Sequence, residues 1–318
     1  MKKVLVTGAS GFVGRALSFA LLEQGNAVRA VVRSADSTLA SEGLDVVEVQ
    51  SLDANTDWLT AVNDQQVVIH AAARAYSMAD KAADALREYR LVNLEGTLNL
   101  ARQAVDAGVR RFIFISSIKV NGERTTGGGL YTAEDLPAPE DAYGISKYEA
   151  EQGLMQISDN TGLEVVIIRP PLVYGPGVKG NFSSIMRVVK KGIPLPLGSI
   201  NNKRSLVAID NLVDLIITCI DHPAAVNQVF LAGDGEDLST TELLRGVAKA
   251  AGMSSRLIPV PTSVLIFLAL ILDKKAIAQR LLGSLQVDVS KACDLLGWTP
   301  PLSVKEGLRR CFVENTEG

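Results

Sequence analysis

The chain has 318 residues, a formal net charge of -3 and hydrophobic residues at 47% of its positions. Such a chain can form one large or two closely packed globular domains, and its slightly acidic balance gives no electrostatic reason to expect nucleic acid as a partner. The three cysteines are far apart and odd in number. They fit neither a disulfide framework nor a metal cluster, so a reducing cytoplasm is expected.

The first predicted element is an apolar strand that runs directly into a glycine-rich loop. Because Met1-Lys2-Lys3 leads straight into this strand, no signal peptide is expected. Glycine stands at every third position of the loop, at Gly8, Gly11 and Gly14. This spacing favours a tight turn, close approach of a pyrophosphate and close packing of the following helix, whose N-terminus would hold the phosphates. The other residues of this loop that are predicted to bind the cofactor are Ser10, Phe12 and Val13.

The second strand, residues 27–32, is followed by Arg33 rather than by a carboxylate. In dinucleotide-binding folds an acidic residue at this point accepts hydrogen bonds from the adenosine ribose of NAD. An arginine can instead pair with a 2′-phosphate. The sequence therefore predicts a preference for NADP(H), with NAD(H) possible and a solvated surface arginine as the alternative interpretation.

Further strands are predicted at 46–49, 67–70 and 111–115, separated by helices. Alternating strands and helices of this length indicate parallel βαβ units, and hence an α/β fold with a doubly wound parallel sheet of the Rossmann type. The small residues Ala71 and Ala72 follow the strand at 67–70 and would let a cofactor lie close. His70 ends that strand and is interpreted as a packed structural residue rather than a catalytic base.

Beyond residue 170 the regular alternation gives way to shorter elements, so we place a soft domain boundary there, across which segments can interleave. Asp210 is predicted to cap a helix that ends near residue 220, and Ser239 or Thr240 to cap another that ends near residue 252. The longest apolar run, residues 264–272, is about half the length of a transmembrane helix. We interpret it as a buried helix, with contact to a membrane surface or a partner as the alternative.

Tyr143 and Lys147 lie four residues apart on a predicted helix that ends near residue 160, so their side chains share one face. An ammonium group near a phenol favours the phenolate and lowers the phenol pKa toward a range useful for proton exchange. Ser117 follows the strand at 111–115, at the end where parallel sheets bind their ligands. These three residues are the predicted catalytic group.

The motifs at 7–14, 116–117, 143–147 and 169–176, with residues 297–301, resemble those of the extended short-chain dehydrogenase/reductases, the NAD-dependent epimerase/dehydratase family. The resemblance covers nearly the whole chain. It implies an NAD(P)-binding Rossmann domain at 1–170 and a smaller nucleotide-sugar-binding α/β domain at 171–318. It also implies a homodimer formed by the helices around 93–107 and 143–160.

The resemblance assigns roles to single residues as well. Ser117, Tyr143 and Lys147 match the catalytic positions, and Asn93 matches a residue that supports the catalytic lysine through water. Asn181 and Arg204 fall where relatives hold the sugar nucleotide, with Arg204 on the diphosphate. Ile118 and Lys119 stand where the dehydratases of the family have Asp-Glu, so a dehydratase is not expected.

Within the family, the segments 116–123 and 170–179 are most similar to bacterial proteins of O-antigen sugar synthesis. With Arg33, they favour an NADPH-dependent reductase that converts a UDP-4-keto-6-deoxy-N-acetylhexosamine to a UDP-N-acetylquinovosamine or UDP-N-acetylfucosamine type sugar. The alternative is a UDP-hexose C4-epimerase, acting on the glucose or N-acetylglucosamine form with tightly bound NAD. A nucleotide-sensing regulator without catalytic activity is a third and weaker possibility, because the catalytic residues are intact.

Overall fold

A seven-stranded parallel sheet forms the centre of the computed structural model, which describes residues 1–34, 37–76, 82–178 and 180–312. The strand order is β3-β2-β1-β4-β5-β6-β9, and every neighbouring pair runs parallel. The strands of this sheet are β1 (Lys3–Thr7), β2 (Ala27–Val32), β3 (Asp45–Glu48), β4 (Val67–His70), β5 (Arg111–Ile115), β6 (Glu164–Arg169) and β9 (Gln228–Leu231). Two further strands, β7 (Leu172–Tyr174) and β8 (Leu206–Ala208), pair in a small separate sheet.

Helices connect the strands and continue to the end of the described chain. Those of the first half are α1 (Phe12–Glu23), α2 (Ser37–Ser41), α3 (Leu59–Val62), α4 (Ala82–Tyr89), α5 (Thr97–Asp106) and α6 (Ala142–Thr161). Those of the second half are α7 (Asn181–Lys190), α8 (Ile209–Asp221), α9 (Thr240–Ala250), α10 (Thr262–Ile271), α11 (Lys275–Leu282), α12 (Ser290–Leu296) and α13 (Val304–Arg310). A π-helical segment, Arg90–Gly96, joins α4 to α5, and 3-10 turns occupy Ile118–Val120 and Pro223–Ala225.

Alternate residues of the strands point into two separate cores, as the pleat of a strand requires. Val4 and Val6 of β1 pack in the core that α1 and α8 cover. Leu5 packs on the opposite face, in the core that α5 and α6 cover. Both faces of the sheet are therefore buried by helices, which confirms the predicted doubly wound α/β fold.

The second half of the chain contributes to two parts of the structure. Its β9 pairs with β6 and completes the central sheet, while α8 packs against α1. Residues of β7, α7, β8, α9 and α13 form a third apolar core, which includes Tyr174, Phe182 and Val247. The domain boundary at residue 170 remains a prediction. The two halves of the chain do interleave, because β9 of the second half pairs with β6 in the central sheet.

Two local predictions are wrong. Asp210 does not cap α8, because the helix begins at Ile209 and Asp210 lies in its first turn, where it pairs with Arg310. The apolar run at 264–272 does form a helix, α10, but none of that helix is buried. By contrast, α9 is capped by Ser239, one of the two residues that the sequence offers as its cap, and Glu242 completes a capping box. Among the described residues, no helix is both long and apolar enough to cross a membrane.

Candidate active site

The glycine loop connects β1 to α1 at the carboxyl end of the sheet, beside the point where the strand order reverses. Gly8 has a φ of +68°, and a Cβ atom there would lie 2.9 Å from the backbone of Ala72. A Cβ on Gly14 would lie 2.2 Å from the Gly8 carbonyl oxygen. Both positions therefore require glycine. Gly11 is the N-cap of α1 and offers no side-chain oxygen to the first-turn N–H groups, which leaves them suited to an anion.

The end of β4 forms the wall opposite this loop. Thr7 and His70 hydrogen-bond at 2.7 Å between Oγ1 and Nδ1, and the backbone N–H of Ala72 donates to Thr7 Oγ1 at 3.2 Å. Burial, and then the charge of Lys147, lower the pKa of His70 to about 3. His70 is thus a neutral, buried structural residue, as predicted, and it fixes Ala71 and Ala72 beside the glycines.

Asn93 lies in the π-helical segment and is 1% exposed. Its amide oxygen accepts from the backbone N–H of Arg74 at 2.9 Å, and its amide nitrogen donates to Ser146 Oγ at 3.1 Å. Asn93 therefore ties the segment after β4 to the residue next to Lys147. A π-helical turn at this place is typical of a functional site.

Lys147 is held at the end of β5. Its Nζ donates to the carbonyl oxygen of Ile115 at 2.9 Å and lies 4.4 Å from the centre of the Phe114 ring. Burial lowers the pKa of Lys147 to about 7, although the charge of Glu151 opposes the shift. Ser117 follows two residues after Ile115, with its hydroxyl accepting from the backbone N–H of Lys119 at 3.3 Å. Both side chains thus lie at the carboxyl end of β5.

Tyr143 is packed edge-on between two other tyrosines. Its ring centre lies 5.7 Å from that of Tyr89 and 6.3 Å from that of Tyr76. Burial is the main cause that raises the pKa of Tyr143, and the negative charge of Asp141 adds to it. The sequence predicts a lowered pKa for Tyr143, and this prediction is wrong. The main reason is burial of the phenol, which disfavours its charged form.

The start of α6 is fixed by a charged cluster that sequence reasoning missed. Asp141 caps the helix by accepting from the backbone N–H of Gly144 at 2.7 Å. Lys119 forms ion pairs with both Asp141 and Glu123, and its Nζ lies 4.1 Å from the centre of the Tyr76 ring. Lys119 therefore positions the helical turn that carries Tyr143.

A buried ion pair lies one turn after Lys147. Glu151 and Arg169 are each 4% exposed at the side chain. Arg169 Nε donates to Glu151 at 3.0 Å, Arg169 Nη1 donates to Asn121 at 2.9 Å, and the Ser116 hydroxyl also donates to Glu151. The network joins α6, the residue before Ser117 and the end of β6. Its sequence signal was available, since Glu151 follows Lys147 at the four-residue spacing of one helix face.

The remaining predicted residues lie farther from this group. Arg33 directly follows β2, with an exposed side chain. Arg204 donates from Nη1 to the carbonyl oxygens of Arg280 and Gly283, at 3.0 and 3.1 Å, so it caps the C-terminus of α11. Burial, and then the charge of Arg280, lower the pKa of Arg204. Asn181 begins α7, but its side chain lies outside the described part of the structure.

Comparison with known proteins identifies the family of this chain. Residues 4–233 match the model of the NAD dependent epimerase/dehydratase family. The chain belongs to this family. It is 51% identical over 311 residues to a UDP-glucose 4-epimerase of Vibrio cholerae, an alignment that covers 97% of this chain and 94% of the relative.

More distant members of the epimerase/dehydratase family match over the same length. A UDP-glucose 4-epimerase of Mycolicibacterium smegmatis is 28% identical, over 97% of this chain and 96% of the relative. Among solved structures, UDP-glucuronic acid 4-epimerase from Bacillus cereus in complex with NAD superposes with a TM-score of 0.77 at 24% identity. This superposition covers 98% of this chain and 95% of that one. The protein is thus an enzyme of an NAD-dependent family with the predicted Rossmann fold.

We expect Glu151→Gln to destabilise the protein by about 3–5 kcal/mol, because it leaves the buried Arg169 charge unpaired. The matched control is Glu149→Gln on the same helix, which breaks a pair with Arg90 whose side chain is 43% exposed. That change is expected to cost less than about 1 kcal/mol. Urea unfolding measures both free energies. Equal losses in the two variants would contradict a structural role for the buried pair.

The pKa of Lys147 also predicts a pH dependence of stability. This pKa is about 7, below the 10.5 of an exposed lysine, so the unfolded chain binds more protons between these two values. The contribution of Lys147 to the free energy of unfolding therefore rises with pH from about 7 to about 10. Urea unfolding of the wild type and of Lys147→Met across this pH range isolates the contribution of Lys147 to the free energy of unfolding. A difference between the two proteins that stays constant with pH would refute the lowered pKa.

Proposed function

We propose that this protein is a UDP-hexose C4-epimerase with retained NAD. The observation that carries the proposal is that the glycine loop from Gly8 to Gly14, here called the cradle, follows β1 at the same edge of the sheet where Lys147 and Ser117 lie at the end of β5. The similarity to the Vibrio cholerae UDP-glucose 4-epimerase, at 51% identity over nearly the whole chain, supports the epimerase over the reductase that the sequence favours.

The glycine loop fits a dinucleotide. Gly8 and Gly14 leave no room for a Cβ, and the free N–H groups at the start of α1 suit a pyrophosphate. Ser10, Phe12 and Val13 would line this cradle, and Ala71 and Ala72 would face it. When bound, NAD supplies the acceptor that takes the hydrogen from C4 of the sugar and returns it.

The roles of the catalytic residues follow from their positions. Tyr143 would take the proton of the C4 hydroxyl and give it back after the keto sugar has turned its other face. Ser117 would donate a hydrogen bond to the same oxygen. Lys147 would hold the cofactor ribose and, in its charged form, favour the phenolate of Tyr143. Asn93 would position α6 through Ser146.

For this chemistry the Lys147 ammonium must act on Tyr143 rather than on Ile115 alone. Burial opposes the charge on both groups. Ligand binding that brings hydroxyl groups to Lys147 would favour its ammonium form and so lower the pKa of Tyr143. Arg204 and Asn181 are proposed to contact the sugar nucleotide, Arg204 with the guanidinium N–H groups that do not cap α11.

The second candidate function is NADPH-dependent reduction of a UDP-4-keto-6-deoxy-N-acetylhexosamine. The observation that favours it is Arg33, which directly follows β2 with an exposed side chain, where it can meet a 2′-phosphate. A homodimer through α5 and α6, and a cytoplasmic location, remain predictions for either function.

Replacing Tyr143 by phenylalanine removes the proton-transferring hydroxyl and keeps the ring. We expect the rate of UDP-glucose and UDP-galactose interconversion to fall by about 10²- to 10⁴-fold. Tyr148→Phe is the matched control, because Tyr148 lies on the same helix and its hydroxyl accepts from Gln152 at 3.2 Å. That variant is expected to keep its activity. Full turnover by the Tyr143 variant would remove the catalytic role.

The cofactor released from freshly purified, denatured protein distinguishes the two functions. The epimerase is expected to release NAD in a near-stoichiometric amount, since its cofactor is regenerated in every turnover. An empty protein that binds NADPH much more tightly than NADH, and loses that preference in Arg33→Ser, would instead favour the reductase. Titration of both cofactors into the emptied enzyme measures this preference.

A further inference from the structure

The helix α10 presents apolar side chains to solvent around most of its circumference. At 100° per residue, the half-buried Thr262, Leu265 and Ala269 form one narrow stripe that faces the protein. The rest of the helix, about two-thirds of its circumference, is exposed. The exposed apolar residues of α10 and its end are Val264, Ile266, Phe267, Leu268, Leu270, Ile271 and Leu272. A contiguous apolar surface of this kind marks an interaction site.

The charged residues that flank α10 in the sequence are mostly positive. Residues 257–272 contain no charged side chain, and Arg256 precedes them. Lys274 and Lys275 follow, with Asp273 as the only carboxylate between residues 256 and 280. The whole chain has a net charge of -3, so this segment is a local exception. Cations that flank an apolar helix in the sequence complement an anionic surface.

The geometry distinguishes the possible occupants. A second copy of the chain, packed helix on helix, would cover one face of α10 and leave the remaining exposed side chains in water. A bilayer surface can accept the whole exposed arc, since an interfacial helix sinks into the boundary between headgroups and acyl chains. With ten residues, α10 is about 15 Å long, half of what a membrane span requires.

We propose that α10 docks this enzyme reversibly on an anionic lipid bilayer. The exposed arc lies in the acyl boundary and Lys274, at the end of the helix, lies at the level of the lipid phosphates, while Arg256 and Lys275 add positive charge to the segment. The inference does not depend on the proposed reaction, because it rests on α10 alone.

The docking helix is joined to the active site through α11. The two helices pack against each other, and the last carbonyl groups of α11 hold Arg204. The guanidinium of Arg280 in α11 lies 5.2 Å from the centre of the Tyr76 ring, which packs against Tyr143. A protein docked by α10 therefore keeps its active site near the membrane surface.

Vesicle flotation of the full-length protein tests the proposal. The vesicles are phosphatidylcholine alone, and phosphatidylcholine with phosphatidylglycerol in equal parts. The wild type is expected to float with the anionic vesicles. The double variant Phe267→Gln/Ile271→Gln is expected to bind them at least tenfold more weakly, since glutamine keeps helix propensity but removes the apolar surface.

Two controls separate this effect from loss of the fold. Leu136 is 89% exposed and lies outside α10, so Leu136→Gln should bind vesicles as the wild type does. All variants should keep the wild-type circular dichroism and the turnover of soluble substrate. In Lys274→Gln/Lys275→Gln, the preference for anionic vesicles should fall by about tenfold or more, at about 1 kcal/mol per lysine.

Three results would overturn the proposal. The wild type could remain with the soluble fraction for both vesicles, or it could bind neutral and anionic vesicles equally. It could also form a dimer in solution that Phe267→Gln/Ile271→Gln dissociates, without binding vesicles. That result would assign the exposed arc of α10 to a second copy of the chain.

Discussion

The buried pair of Glu151 and Arg169 connects the elements on which the active site depends. Arg169 ends β6, Glu151 lies on α6 one turn after Lys147, and the Ser116 hydroxyl donates to the same carboxylate. Burying two charges away from water costs free energy unless both groups are fully hydrogen-bonded. Asn121 supplies one further acceptor for the Arg169 guanidinium. The pair therefore links α6, the helix that carries Tyr143, to the end of β6 and to Ser116, the residue before Ser117.

Burial also opposes the charged forms of the two groups that the proposed chemistry uses. The pKa of Lys147 is near 7, and that of Tyr143 is raised. Burial withholds much of the solvent that would stabilise either charge, so each group depends on its neighbours. The charge state of this site is thus a property of the complex with cofactor and substrate. A Tyr-x-x-x-Lys spacing alone is insufficient to set it.

The structure shows which apolar segments are buried and which are exposed, a difference that composition cannot reveal. The sheet strands and α10 are comparably apolar, yet β5 is buried along its whole length and α10 is exposed. The strands are covered because helices pack on both faces of the sheet. In contrast, α10 follows the last strand of the sheet in the chain, and only a narrow stripe of this helix contacts the rest of the protein.

Several features of this protein are local and could be predicted from its sequence. The strands and the order of βαβ units follow from apolar runs separated by helices, and the cradle follows from glycines at Gly8, Gly11 and Gly14. The capping box at Ser239 needs only the residue three positions later. In each case neighbouring residues along the chain determine the conformation, so short-range patterns suffice.

Other features depend on contacts between residues far apart in the chain. The Lys147 bond to Ile115, the Arg169 pair with Glu151 and the Arg204 cap on α11 join segments that only folding brings together. The same holds for the pKa of Tyr143 and for the exposure of α10, because both depend on what the fold places around them. The sequence by itself thus determined the elements and the glycine loop, whereas the tertiary structure decided the electrostatics of the candidate site and the surface of α10.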